Sequence, residues 1–140
     1  MKKRKEDGER LLRRLFLVAF FIVVIDQLSK IFIKNNFDYI RNYGASFGIL
    51  QGQKWLIVTV SIFVIALIIY YSRKEYLDAF PFILGGAVGN LIDRLAYGYV
   101  IDFIKVGSFP AFNVADAANT IGGILLVLEI LKSRAVKAKE

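Results

Sequence analysis

The residues of this chain that could carry chemistry are carboxylates. Asp102 lies in "VIDF" (100–103) and Asp116 in "FNVAD" (112–116), at the head of an apolar run that continues to Leu131. Asn113 heads the same run, and Asp26, Lys30, Asn90, Asp93 and Arg94 lie inside or at the edge of other apolar runs. A charge at mid-bilayer costs at least ~2.5–3.5 kcal/mol on insertion scales, so such residues are functional suspects. Two carboxylates forced together cannot both ionise cheaply: one keeps a proton and the pair titrates as a unit. That supplies a base to take a proton from water and an acid to hydrogen-bond a scissile carbonyl, the logic of an aspartic protease.

Composition narrows the alternatives. The 140 residues contain no histidine and no cysteine, which removes Ser-His catalysis, thiolate nucleophiles and the usual zinc sites. No cofactor or metal is expected. A Ser-Lys dyad is the other proteolytic chemistry open to the chain. Ser29 and Lys30 are helical neighbours that do not face each other, which leaves Ser46 or Ser108 to approach Lys30 through the fold.

The carboxylates need elements to position them. The chain is 56% hydrophobic with a positive mean hydropathy of +0.52, more apolar surface than a soluble domain of this size would bury. The pattern predicts an all-α membrane protein, a single domain over 1–140 with four transmembrane helices at about 15–33, 55–71, 79–98 and 112–132. The first span begins like a signal peptide, but "DQLSK" is no cleavage site and the apolar pattern resumes after it, so it is read as uncleaved. "YVIDFIKV" (99–106) alternates weakly and predicts a short strand in a small extracytoplasmic β-type loop region.

The net charge of +7 is placed at the ends. "MKKRKEDGERLLRR" carries seven basic residues and "KSRAVKAKE" four, whereas the loops at 34–54 and 99–111 hold only Lys34, Arg41, Lys54 and Lys105. This bias puts both termini in the cytoplasm and argues against nucleic acid as partner. On that topology Asp26, Lys30, Asn90, Asp93, Arg94, Asp102, Asn113 and Asp116 come to about one depth, near the outer leaflet. Asp26 and Lys30 are four apart and share a helix face, as do Asn90, Asp93 and Arg94. Pairing of Asp26 with Lys30 and of Asp93 with Arg94 would leave Asp102 and Asp116 with no partner but each other. Glu129 reads as a charge at the inner interface, and Tyr39, Tyr97 and Tyr99 as belt aromatics. Glycines at 85, 86, 89, 122 and 123 let helices approach closely. A proton transporter would want acids on a path through both leaflets, but the inner half is apolar apart from Glu129. A purely structural adaptor leaves the outer polar convergence unexplained.

"DQLSK" (26–30), "NYGASFG" (42–48), "GGAVGNLIDR" (85–94), "VIDF" and "FNVAD" occur in order on these spans, and together they resemble lipoprotein signal peptidase, the signal peptidase II family. The resemblance implies a bacterial inner-membrane aspartyl endopeptidase. It would remove the signal peptide from diacylglyceryl-modified prolipoproteins, cutting just before the lipidated cysteine. It makes Asp102 and Asp116 the catalytic pair. Asp26, Lys30, Asn42, Asn90, Arg94 and Asn113 would form the supporting polar shell, with Gly86 beside the substrate path. The partners implied are the lipid-modified prolipoprotein and membrane lipid, met by a monomer. The chain departs from the family pattern in its short stretches "IFIKNNFDYIR" and "FIKVGSFPAFNVA", which imply a smaller lid, and in Asn119, where an apolar residue is more usual.

Overall fold

The structure, a computed structural model, describes residues 2–45, 49–73 and 77–137. Its element order is α1 (Lys2–Asn36), β1 (Ile40–Asn42), α2 (Lys54–Ser72), α3 (Phe80–Tyr97), β2 (Val100–Asp102) and α4 (Val114–Lys137). Among the described residues three helices are long and apolar enough to cross a membrane, namely α1, α2 and α4. Helix α3, expected as a fourth span, is not among them. Its second half carries Asn90, Asp93 and Arg94, which lower its hydropathy, and those side chains are buried within the bundle.

Helix α1 starts well before the expected position 15. The basic N-terminal stretch has no proline and only Gly8 as a weak helix former, so the helix runs through it. Helix α4 begins two residues later than expected, because Asn113 serves as its N-cap. Pro81 occupies the first turn of α3, where its missing N–H costs nothing. Gly98 ends α3 in the left-handed region (φ 81°), donating its N–H to the Arg94 carbonyl. A side chain would strain that turn, and the turn feeds the chain directly into β2.

The helix α3 packs against all three other helices. Leu15, Ala19, Ile68, Phe80 and Leu84 form an apolar core toward the end of the bundle that holds the chain termini. At the other end the buried residues are polar: Asp26, Lys30, Asn90, Asp93, Arg94, Asp102 and Asn113. The strands β1 and β2 pair antiparallel above that end, with Ile40 opposite Asp102 and Asn42 opposite Val100. The predicted strand is thus present but shorter, at Val100–Asp102. It is followed by a bridge between Ile104 and Phe112 that closes the loop between them and returns the chain beside Asp102 as α4 begins. Large apolar side chains such as Phe20, Phe63 and Leu128 are exposed around the bundle, as lipid-facing helices require.

Candidate active site

Asp102 and Asp116 meet through one amide. Asn113 Nδ2 donates to Asp102 Oδ1 at 2.7 Å, and Asn113 Oδ1 accepts the Asp116 N–H at 2.8 Å. The Asn113 N–H donates in return to Asp116 Oδ2 at 3.3 Å. The last two bonds are a reciprocal capping arrangement that satisfies donors of the first turn of α4. The remaining carboxylate oxygens are held by other elements. Asn42 on β1 donates to Asp102 Oδ2 at 3.0 Å, and Asn90 on α3 donates to Asp116 Oδ1 at 2.8 Å. Asn90 Oδ1 accepts from both Asn113 (3.0 Å) and Lys30 (3.1 Å). Five elements therefore converge: Asp26, Lys30, Asn42, Asn90 and Asn113 bond into this one network through their side chains, and Arg94 joins it by donating to the Asn90 carbonyl at 3.4 Å.

Lys30 sits at its base. Its Nζ is 2.7 Å from Asp26 Oδ2 and 3.0 Å from Asp93 Oδ2, with all three side chains essentially buried. The expected Asp26–Lys30 pair is present, but the expected Asp93–Arg94 pair is not. Adjacent residues on a helix point about 100° apart, so Asp93 turns toward α1 while Arg94 turns toward the cavity. Arg94 donates to the Gly44 carbonyl at 2.9 Å, holding the segment after β1. Asp26 Oδ1 accepts the Ala115 N–H at 2.9 Å and Asp93 Oδ2 the Ile101 N–H at 3.1 Å. Gln27, which sequence reading passed over inside "DQLSK", ties the same carboxylates together. It donates to Asp26 Oδ2 (3.1 Å), Asp93 Oδ1 (3.0 Å) and the Gly89 carbonyl (3.1 Å).

Burial and the nearby charge of Asp116 raise the Asp102 carboxyl from 3.8 to about 6, against the opposing pull of the Asn42 and Asn113 amides and of Lys30. It therefore keeps its proton over a range in which an ordinary carboxyl is ionised.

The network borders a cavity of about 820 Å³ between α2, α3 and α4. Asn42, Asn90, Arg94 and Asp116 form its polar wall; Ile57, Val60, Val64, Ile83, Phe109 and Phe112 make most of the remainder apolar. Asp102 lies behind that wall, 2% exposed. Gly86 does not line the cavity. It faces α4, where a Cβ would collide with the Ala115 carbonyl and the Asn119 side chain. Asn119 and Thr120 line the cavity beneath Asp116.

The serine alternatives find no support in this geometry. Ser29 Oγ donates to the Asp26 carbonyl at 2.8 Å, Ser108 is exposed, and Ser46 lies outside the described residues. Among the described residues no serine hydroxyl bonds Lys30, whose ammonium is taken by Asp26, Asp93 and Asn90. No group of three or more acidic side chains converges as a cation site among them either. Glu129 is more than an interfacial charge: its Oε1 accepts the Asp78 N–H at 2.8 Å, just ahead of α3. The tyrosines stack in a cluster, with Tyr39 and Tyr99 hydroxyls 3.4 Å apart and Lys34 3.9 Å above the Tyr97 ring.

The chain is similar to known proteins over most of its length. The sequence profile of the family described as Signal peptidase (SPase) II matches residues 18–132. The chain is 41% identical over 130 residues to the lipoprotein signal peptidase of Syntrophomonas wolfei, covering 79% of this chain and 87% of that one. It is 35% identical to that of Shewanella amazonensis, covering 92% and 91%. That alignment runs over 157 positions, more than the 140 residues here, so the relative carries segments this chain lacks. A solved structure described as a bacterial membrane enzyme at 2.3 Å resolution superposes with a TM-score of 0.84 at 32% identity, over 89% of this chain and 91% of that one. A second, described likewise at 1.9 Å, gives 0.76 at 32% identity, over 86% and 94%. From its first apolar helix to the end of its last, in sequence and in fold, the chain belongs to the signal peptidase II family.

Proposed function

We propose that the protein is a membrane aspartyl endopeptidase that removes the signal peptide from diacylglyceryl-modified prolipoproteins, cutting before the lipidated cysteine. The observation that carries this reading is the shared amide of Asn113, which joins Asp102 and Asp116 at the edge of a largely apolar cavity. Family membership supports the peptidase class, and its relatives bear the name lipoprotein signal peptidase.

In this reading the pair holds one proton between its two carboxyls. The ionised member takes a proton from a water, and the water oxygen attacks the scissile carbonyl. The protonated member hydrogen-bonds the carbonyl oxygen as it gains charge. Asn42, Asn90 and Asn113 fix the carboxylates in place, so little reorganisation is needed during attack. The apolar wall of α2 accepts acyl chains or the signal peptide's hydrophobic segment. With four spans and cytoplasmic termini, the topology that the charge bias supports, the network would lie at the outer face of the inner membrane, where lipid would hold the substrate cysteine. The protein acts as a single-domain monomer.

The test is a gel-shift cleavage assay with lipidated and unlipidated prolipoprotein, using wild type, Asp102→Asn and Asp116→Asn. Cleavage of only the lipidated form, reduced at least ~10²–10⁴-fold in each variant, is expected. Retained cleavage in either folded variant would overturn the aspartyl mechanism.

A further inference from the structure

The ion pairs around Lys30 do more than neutralise one another. Each of its two carboxylate partners also accepts the backbone N–H of the residue just before one of the paired aspartates. Asp93 accepts from Ile101, next to Asp102, and Asp26 accepts from Ala115, next to Asp116. The two donating segments, β2 and the first turn of α4, are separated by a loop of eleven residues (103–113) and belong to different elements. The single ammonium of Lys30 spans their acceptors at 2.7 and 3.0 Å, and Gln27 bonds both carboxylates from the side.

We propose that Asp93 is a positioning residue of the aspartate pair, forming with Lys30 and Asp26 a strap that sets how far apart the segments bearing Asp102 and Asp116 lie. This rests on the aspartyl reading above. Three features separate a strap from a mere buried ion pair. A salt bridge that only neutralised Lys30 needs one carboxylate, and Asp26 already supplies it in the same helix. The second carboxylate arrives from α3, and the oxygen that meets Lys30, Oδ2, is the one that meets Ile101. Moreover, Val100 and Ile101 are each only 1% exposed, so without Asp93 the Ile101 N–H would lie where water cannot replace the lost acceptor, and β2 would shift to satisfy it. Misplacement of a reacting group by about 1 Å can cost about a hundredfold in rate.

The experiment measures kcat and KM on lipidated prolipoprotein, per folded molecule, for full-length wild type, Asp93→Asn and Asp93→Ala, with Asp102→Asn as a control. An asparagine carbonyl can still accept from Ile101; alanine cannot. Positioning predicts kcat falling about tenfold in Asp93→Asn and about a hundredfold in Asp93→Ala, with KM within about twofold in both, so that the conservative variant recovers part of the rate. A purely structural ion pair would lower the folded fraction and leave kcat per folded molecule unchanged in Asp93→Asn, which overturns the proposal. The same holds if Asp93→Ala is no slower than Asp93→Asn. Should the alanine variant fail to fold, the kcat of Asp93→Asn alone decides. Activity in the Asp102→Asn control would instead overturn the aspartyl reading.

Discussion

Asn113 and Asp116 exchange backbone and side-chain hydrogen bonds across the first turn of α4, while the same asparagine reaches Asp102 with its free amide N–H. Helix capping and alignment of the pair thus reside in one side chain.

Asn113→Ala should therefore lose both. Removal of an N-cap asparagine costs about 1 kcal/mol, and release of Asp102 Oδ1 is expected to reduce kcat by about ten- to a hundredfold. Thermal unfolding in detergent and cleavage kinetics, measured on the same preparation, check the two effects. A variant that loses stability and keeps wild-type kcat would show that the amide does not align the pair.

The raised Asp102 carboxyl fixes a sign for pH dependence. Activity that needs one shared proton should decline as pH rises through about 6. Asn42 donates to Asp102 Oδ2 and so favours the ionised form. Asn42→Ala should move the declining limb to higher pH, while lowering the maximal rate. A pH–kcat/KM profile of the two proteins reads the shift; movement toward lower pH would contradict it.

The same group leaves a mark on stability. Its folded value lies above its ordinary one, so the folded state holds the proton more tightly. That contribution is fully present below 3.8 and lost as pH rises through about 6. Asp102→Asn should flatten the slope of stability against pH across that window, as followed by thermal unfolding.

Glycine substitutions should divide by position. Gly86→Ala places a methyl against the Ala115 carbonyl and Asn119, and Gly89→Ala puts one 2.7 Å from Asp26 Oδ2. The first forces α3 from α4 and the second presses α3 against α1 at the level of the network, each at a cost of about 1–3 kcal/mol, and activity should drop with it. At Gly123 a Cβ meets nothing within 4 Å. Gly123→Ala should keep full activity and gain up to ~1 kcal/mol from helix propensity. Unfolding temperatures of the three variants compare the cases directly.

Much of the site was legible because apolar runs make polar residues conspicuous. Asp26, Lys30, Asn90, Asn113 and Asp116 stood out against lipid-facing sequence, and helical spacing put them on shared faces. Legibility failed where partners come from different helices. Asp93 was assigned to Arg94, its neighbour in sequence, whereas the bundle delivers it to Lys30 on α1. Gln27 carried no charge to mark it, and its three bonds all depend on how α1 meets α3. The cavity was equally hidden. Its α2 wall of Ile57, Val60 and Val64 looks in sequence like any other lipid-facing stripe.

The shortfall of hydropathy in α3 bears on how the protein comes to be made. An isolated helix bearing Asn90, Asp93 and Arg94 partitions poorly into lipid, since each charged residue disfavours insertion by a few kcal/mol. Helix α1 leaves the ribosome first and already holds Lys30, the partner of Asp93. In a four-span protein, α3 would thus be retained in the bilayer by companions rather than by its own composition. Assembly of the polar network and completion of biogenesis would then be a single event, and a chain that failed to form the network would also expose a poorly retained helix to quality-control proteolysis.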